Sequence, residues 1–143
     1  MTYTVKSDAE TESVGRGLAE FLDKANRKSA VIAMRGEMGV GKTVFTRGFA
    51  SYFGIRSVKS PTYTVVNEYS ANGIRIFHFD LYRISDSDDL YSAGFDDYIN
   101  RQGYSIIEWS ERIPEEIPDD AITVEISRVA ENEEERVIII SNL

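Results

Sequence analysis

Gly36-Glu37-Met38-Gly39-Val40-Gly41-Lys42-Thr43 is the stretch of this 143-residue chain best equipped for chemistry. It fits the pattern G-x-x-x-x-G-K-[ST] in full. Glycines at its ends and centre permit a tight backbone ring whose N–H groups point inward at phosphate oxygens. A helix that begins inside the motif adds the partial positive charge of its N-terminus. Lys42 has the reach for the β- and γ-phosphates of a nucleotide. Thr43 offers a hydroxyl to Mg²⁺, a cation that prefers oxygen ligands. Glu37, Met38, Gly39, Val40 and Gly41 supply the cradle.

A phosphate loop of this kind needs an acid from a second strand. Two candidates stand at strand ends: Asp80 after Phe77-His78-Phe79, and Glu108 after Ser105-Ile106-Ile107. Either can hold Mg²⁺ through a water or polarise the attacking water, and the residues alone leave that choice open. The chain has no cysteine and one histidine, His78. Thiolate metal sites, Fe–S clusters and a cysteine nucleophile are excluded. A multi-histidine zinc site and a Ser-His-Asp hydrolase are disfavoured. His78, between two phenylalanines, reads as a core-edge histidine. Trp109 reads equally as packing or as a base-stacking surface.

The elements that must position these groups follow from periodicity. Tyr3 to Lys6 reads as a first strand. Ser7 and Glu10 have capping-box spacing and open a helix over about 9–25. Ala30 to Met34 is almost wholly apolar, as in a strand buried on both faces of a parallel sheet. The loop follows it, then a helix from Lys42 to Phe53 with Gly54 as its stop. The segment 62–79 reads as a hairpin turning at Asn72-Gly73. Asp86 to Ala93 is a short acidic helix. Strands are expected at 104–109, 122–127 and 137–140, with a charged loop at 130–135. The result is one α/β domain over 1–143: a P-loop NTPase-like three-layer fold with a mixed, mainly parallel sheet and an added antiparallel hairpin.

Charge is unevenly spread. Residues 1–85 carry 12 basic and 8 acidic side chains, and residues 86–143 carry 4 and 16. The acidic half disfavours nucleic-acid binding by its own surface and suits a basic protein partner or plain solvation. No apolar run has signal-peptide or membrane-span length, so the chain reads as cytoplasmic, with neither membrane nor DNA as a partner. GTPases are excluded because neither N-K-x-D nor D-x-x-G occurs. A small-molecule kinase is disfavoured because the region expected to form its lid, 86–100, is acidic and lacks arginine.

Taken together, these residues resemble the TsaE (YjeE) family of bacterial P-loop ATPases of tRNA threonylcarbamoyladenosine synthesis. The resemblance rests on the phosphate loop, Ser60-Pro61-Thr62-Tyr63-Thr64 with Glu68-Tyr69, and His78-Phe79-Asp80-Leu81-Tyr82-Arg83. Gly94-Phe95-Asp96-Asp97-Tyr98 and Glu108-Trp109 complete it. The family usually has proline after Glu-Trp, where this chain has Ser110. The resemblance implies Thr43 and Glu108 as Mg²⁺ ligands and Asp80 as a catalytic or water-orienting acid, with Lys42 beside it. It implies Thr11 near the nucleotide base and Arg136 near the nucleotide. Ser60, Thr62 and Thr64 become a switch segment, and Tyr82, Arg83 and Trp109 partner-coupled positions. It further implies ATP and ADP as ligands and a TsaD–TsaB-type pair as partner, with tRNA involved indirectly. A nucleotide-gated binding module without turnover and a small-molecule kinase stand as the alternatives.

Overall fold

The computed structural model describes residues 1–61 and 65–143. Seven strands form one sheet: β1 (Thr2–Val5), β2 (Ala30–Arg35), β3 (Val66–Ala71), β4 (Ile74–Asp80), β5 (Tyr104–Glu108), β6 (Ile122–Val129) and β7 (Asn132–Ser141). Their order is β1-β7-β6-β2-β5-β4-β3. The pairs β6–β2, β2–β5 and β5–β4 are parallel, and antiparallel β3 and β7–β1 flank that centre. The mixed α/β sheet with a parallel centre is the architecture the sequence predicts.

Alternation sorts the strand residues into two cores. Ile32 and Met34 of β2, Ile76 of β4, Tyr104 and Ile106 of β5, and Val124 and Ile126 of β6 share one face. Against them pack α1 (Asp8–Lys24) and α2 (Lys42–Tyr52) through Leu18, Leu22, Phe45 and Phe49. The other face carries Phe77, Phe79 and Ile107 beneath Leu90 of α3 (Ser87–Ser92) and Phe95 of α4 (Phe95–Ile99).

Several boundaries differ from expectation for identifiable reasons. The Ser7 hydroxyl accepts from the Glu10 amide at 3.1 Å, but the Glu10 carboxylate reaches back to the Lys6 amide and not to that of Ser7. The hairpin turns at Asn72-Gly73, both at positive φ, and its described arms are β3 and β4. Its expected first residues, 62–64, lie outside the described residues. The acidic segment forms α3, and α4 follows unforeseen after Gly94 at φ 80°. The expected charged loop at 130–135 is largely strand: β7 begins at Asn132 and pairs with Val129. Here the hairpin tip extends past the sheet, both faces meet solvent, and no alternation marks it.

The backbones of α1 and α2 approach closely at two glycines. A Cβ built on Gly15 falls 2.2 Å from the Phe45 carbonyl oxygen, and one on Gly48 falls 2.0 Å from that of Glu12. Both glycines let the helix bearing Lys42 and Thr43 lie flat against α1. Gly48→Ala should therefore force the helices apart and lower unfolding stability by about 1–3 kcal/mol, seen as a lower urea midpoint. Gly17→Ala, whose Cβ meets nothing within 4 Å, should be neutral or slightly stabilising in the same experiment.

Candidate functional site

Parallel strands deliver their C-terminal ends to one edge of the sheet, the usual place for a ligand crevice in open α/β folds. Asp80 and Glu108 are register partners at the ends of β4 and β5. The loop 36–41 leaves the end of β2 beside them. Gly36 has φ 149°, and a Cβ there would sit 2.6 Å from the Ile126 carbonyl oxygen of β6. Gly41 has φ 110° and opens α2 without a side-chain cap, so the first-turn amides keep their capacity for phosphate oxygens.

Lys42 is 4 % exposed. Its ammonium donates to the Gly36 carbonyl at 2.5 Å and lies 3.7 Å from the centroid of the Trp109 ring. Burial pushes its pKa down, and the nearby Glu108, Glu111 and Asp80 charges oppose that. Thr43 Oγ1 donates to Glu108 Oε2 at 3.1 Å and lies 2.6 Å from Ser60 Oγ. His78 Nε2 hydrogen-bonds the same Glu108 oxygen. Lys59, just before Ser60, is held from β3: its amide donates to the Tyr69 hydroxyl at 3.1 Å and its carbonyl accepts from Asn67 Nδ2 at 3.1 Å.

Lys42, Thr43, Ser60, Asp80, Glu108 and Trp109 line a cavity of about 880 Å³. Thr11 and Arg136 line it as well, together with Asp8 and Glu133. Thr11 is buried on α1, and its hydroxyl donates to the Ser7 carbonyl at 3.3 Å. The Arg136 guanidinium is turned into its own hairpin, donating to the carbonyls of Glu133 and Glu135. Tyr82 and Arg83 line the cavity too, with the Tyr82 ring 5.1 Å from that of Trp109. Trp109 thus stands over Lys42 of the glycine-rich loop. Thr62 and Thr64 lie outside the described residues.

The donors suit Mg²⁺. Thr43, Glu108 and Ser60 present only oxygen, and among the described residues no three His, Cys, Asp or Glu side chains converge as a protein-only metal cage. A cation here would draw most of its ligands from phosphate and water, as Mg²⁺ prefers.

The family model described as "Threonylcarbamoyl adenosine biosynthesis protein TsaE" matches residues 5–138. The chain belongs to the TsaE family. A Bacillus subtilis protein named tRNA threonylcarbamoyladenosine biosynthesis protein TsaE is 37 % identical over 128 residues, 88 % of this chain and 77 % of that protein. Its Haemophilus influenzae namesake is 39 % identical over 128 residues, 88 % of this chain and 81 % of the other. The crystal structure of YdiB from Bacillus subtilis superposes with a TM-score of 0.78 at 28 % identity, covering 96 % of this chain and 82 % of that one.

In this TsaE-family chain, Ser110 ties the turn after β5 to β2, because its buried hydroxyl donates to the Met34 carbonyl at 3.0 Å. The turn carries Trp109 in the left-handed region, φ 62° and ψ 36°. Sequence reasoning missed Arg128. From β6 it donates to Glu37 Oε2 at 3.0 Å and to the Met38 carbonyl at 2.8 Å, fastening the loop tip. Its isolation as one of four basic residues after position 85 was the available signal. Glu111, also missed, accepts from the Gly36 amide at 3.3 Å.

Arg128→Ala should weaken ADP binding up to about tenfold, the loss of a hydrogen bond or two of about 0.5–1.5 kcal/mol, measured by calorimetry. As pH rises through the depressed pKa of Lys42, its ammonium is lost earlier than an ordinary lysine's. ADP affinity should then begin to fall below the usual lysine range, and Lys42→Arg should move that fall to higher pH.

Proposed function

We propose that this protein binds Mg²⁺–ATP on the Gly36–Thr43 loop and hydrolyses it in support of tRNA threonylcarbamoyladenosine synthesis. The observation that carries this reading is the 3.1 Å bond between Thr43 Oγ1 and Glu108 Oε2, next to the buried Lys42. It joins a loop hydroxyl to an acid on the neighbouring strand, the pair a P-loop nucleotidase needs. Membership of the TsaE family supports the pathway.

On this reading the loop amides and Lys42 bind the β- and γ-phosphates, and Lys42 leaves the Gly36 carbonyl to do so. Mg²⁺, when bound, neutralises charge that develops on the phosphate oxygens. Thr43 and Glu108 would hold it. Asp80, whose Oδ1 accepts the Tyr82 amide at 3.0 Å, orients the attacking water. Ser60 sits against Thr43, where it senses the γ-phosphate and passes the change to the segment after it.

The exposed Met38 and Tyr82 at the cavity's rim suit cover by a partner. That partner is a TsaD–TsaB-type pair, which carries out the transfer to tRNA while this chain resets it between turnovers in the cytoplasm. No helix among the described residues is long and apolar enough to cross a membrane.

ATP hydrolysis should be low for the chain alone and rise with the TsaD–TsaB pair from the same source. Lys42→Ala should remove nucleotide binding and hydrolysis together. Glu108→Ala should remove Mg²⁺-dependent turnover more than ADP binding, and Asp80→Ala should spare binding and cut turnover by about 10²–10⁴-fold. Normal hydrolysis by Glu108→Ala beside the pair would overturn the metal assignment. Tight ATP binding with no turnover in the full assembly would make the chain a nucleotide-gated module.

A further inference from the structure

His78 is a fully buried polar side chain to which the proposed reaction gives no role. It lies within β4 between Phe77 and Phe79, whose side chains pack on the opposite core. On its own face it is flanked by Ile76 and Asp80, with Ile106 opposite on β5. In such surroundings an aliphatic or aromatic residue would pack without any polar atom to satisfy. The ring is engaged at one end only: Nε2–H donates to Glu108 Oε2, and Nδ1 has no hydrogen-bond partner. Packing therefore does not account for an imidazole here, whereas the Nε2 donor does.

The bond falls on an informative atom. Glu108 Oε2 also accepts the Thr43 hydroxyl, so two protein donors meet on one carboxylate oxygen. A hydroxyl that binds a cation through its oxygen must send its proton elsewhere, and Oε2 is where Thr43 sends it. A glutamate has three rotatable bonds and holds that oxygen in place only if something fixes its rotamer.

We propose that His78 is a positioning residue for the Mg²⁺ end of the site. Its Nε2–H locks the Glu108 carboxylate so that Oε2 accepts the Thr43 hydroxyl's hydrogen bond and the Thr43 oxygen would face the cation. This rests on the Mg²⁺–nucleotide reading above. It predicts an effect on the metal that is separable from nucleotide binding and from stability, as removal of a partner behind a metal ligand typically costs 10–100-fold in metal affinity.

The test uses the full chain with ADP and Mn²⁺ as a paramagnetic stand-in, reading bound Mn²⁺ by EPR and ADP affinity with and without Mg²⁺ by calorimetry. His78→Leu should bind ADP without metal within about twofold of the wild type, yet bind Mn²⁺ at least about tenfold more weakly. His78→Gln, whose amide N–H can reach where Nε2 stands, should recover most of the metal affinity. If His78→Leu does not fold, His78→Asn, whose shorter amide falls short of Glu108, carries the same comparison against His78→Gln. Equal Mn²⁺ affinity in the wild type and in the folded Leu or Asn variant would overturn the positioning role, as would a loss in His78→Gln equal to that variant's. A wild type whose ADP binding ignores metal altogether would instead overturn the Mg²⁺–nucleotide reading, and this inference with it.

Discussion

A carboxylate at the end of β5, 4 % exposed, sets the terms for the structure around it. Taking Glu108 out of water is tolerable only where donors and a compensating charge are supplied at fixed places. They come from separate parts of the chain: the ring of His78 from β4, the hydroxyl of Thr43 from α2, and the ammonium of Lys42, whose charge the carboxylate favours. Satisfying one acid thus draws two parallel strands and the first turn of a helix to a common point. The crevice follows from that convergence, because the loop between β2 and α2 must arch over the same point.

Precision in the loop depends on supports some distance from it. Behind α2, Gly15 and Gly48 permit contact of two helix backbones, so the helix carrying Lys42 and Thr43 has little room to shift. In front, Arg128 reaches from β6 to the loop tip, and Glu111 takes the Gly36 amide. To one side, Asn67 and Tyr69 of the edge strand fix Lys59 and so place Ser60 against Thr43. Trp109 stays in a left-handed backbone conformation costing about 1–2 kcal/mol, offset by its ring's contacts with Lys42, Tyr82 and Arg112.

The loop was legible because its chemistry is local: eight consecutive residues specify both a backbone path and a ligand class. The Asn72-Gly73 turn was legible for the same reason. Residue type alone did not separate Asp80 from Glu108, since both end apolar strands; the family resemblance did that, and the bond from Thr43 to Glu108 is a tertiary contact no local pattern reports. The close packing at Gly15 and Gly48 left no trace in the sequence, because nothing within either helix reports the other's carbonyl. The Asn132–Glu135 strand looked like a loop, because backbone pairing without burial leaves no pattern in side-chain type. Arg136 was expected beside the nucleotide and does line the cavity, yet its guanidinium is held by the carbonyls of its own hairpin.

The contacts of Lys42 bear on the thermodynamics of exchange. Its ammonium has a carbonyl acceptor and an aromatic face within the protein itself. On the proposed reading, a phosphate bound here would gain only the difference between its own attraction and these contacts, so its affinity would be less than a count of its bonds suggests. The same contacts work in reverse on departure. A phosphate leaving the site would return the buried charge to these partners and would not strand it. A lysine furnished in this way would trade some grip on an anion for a buried charge that always has a partner.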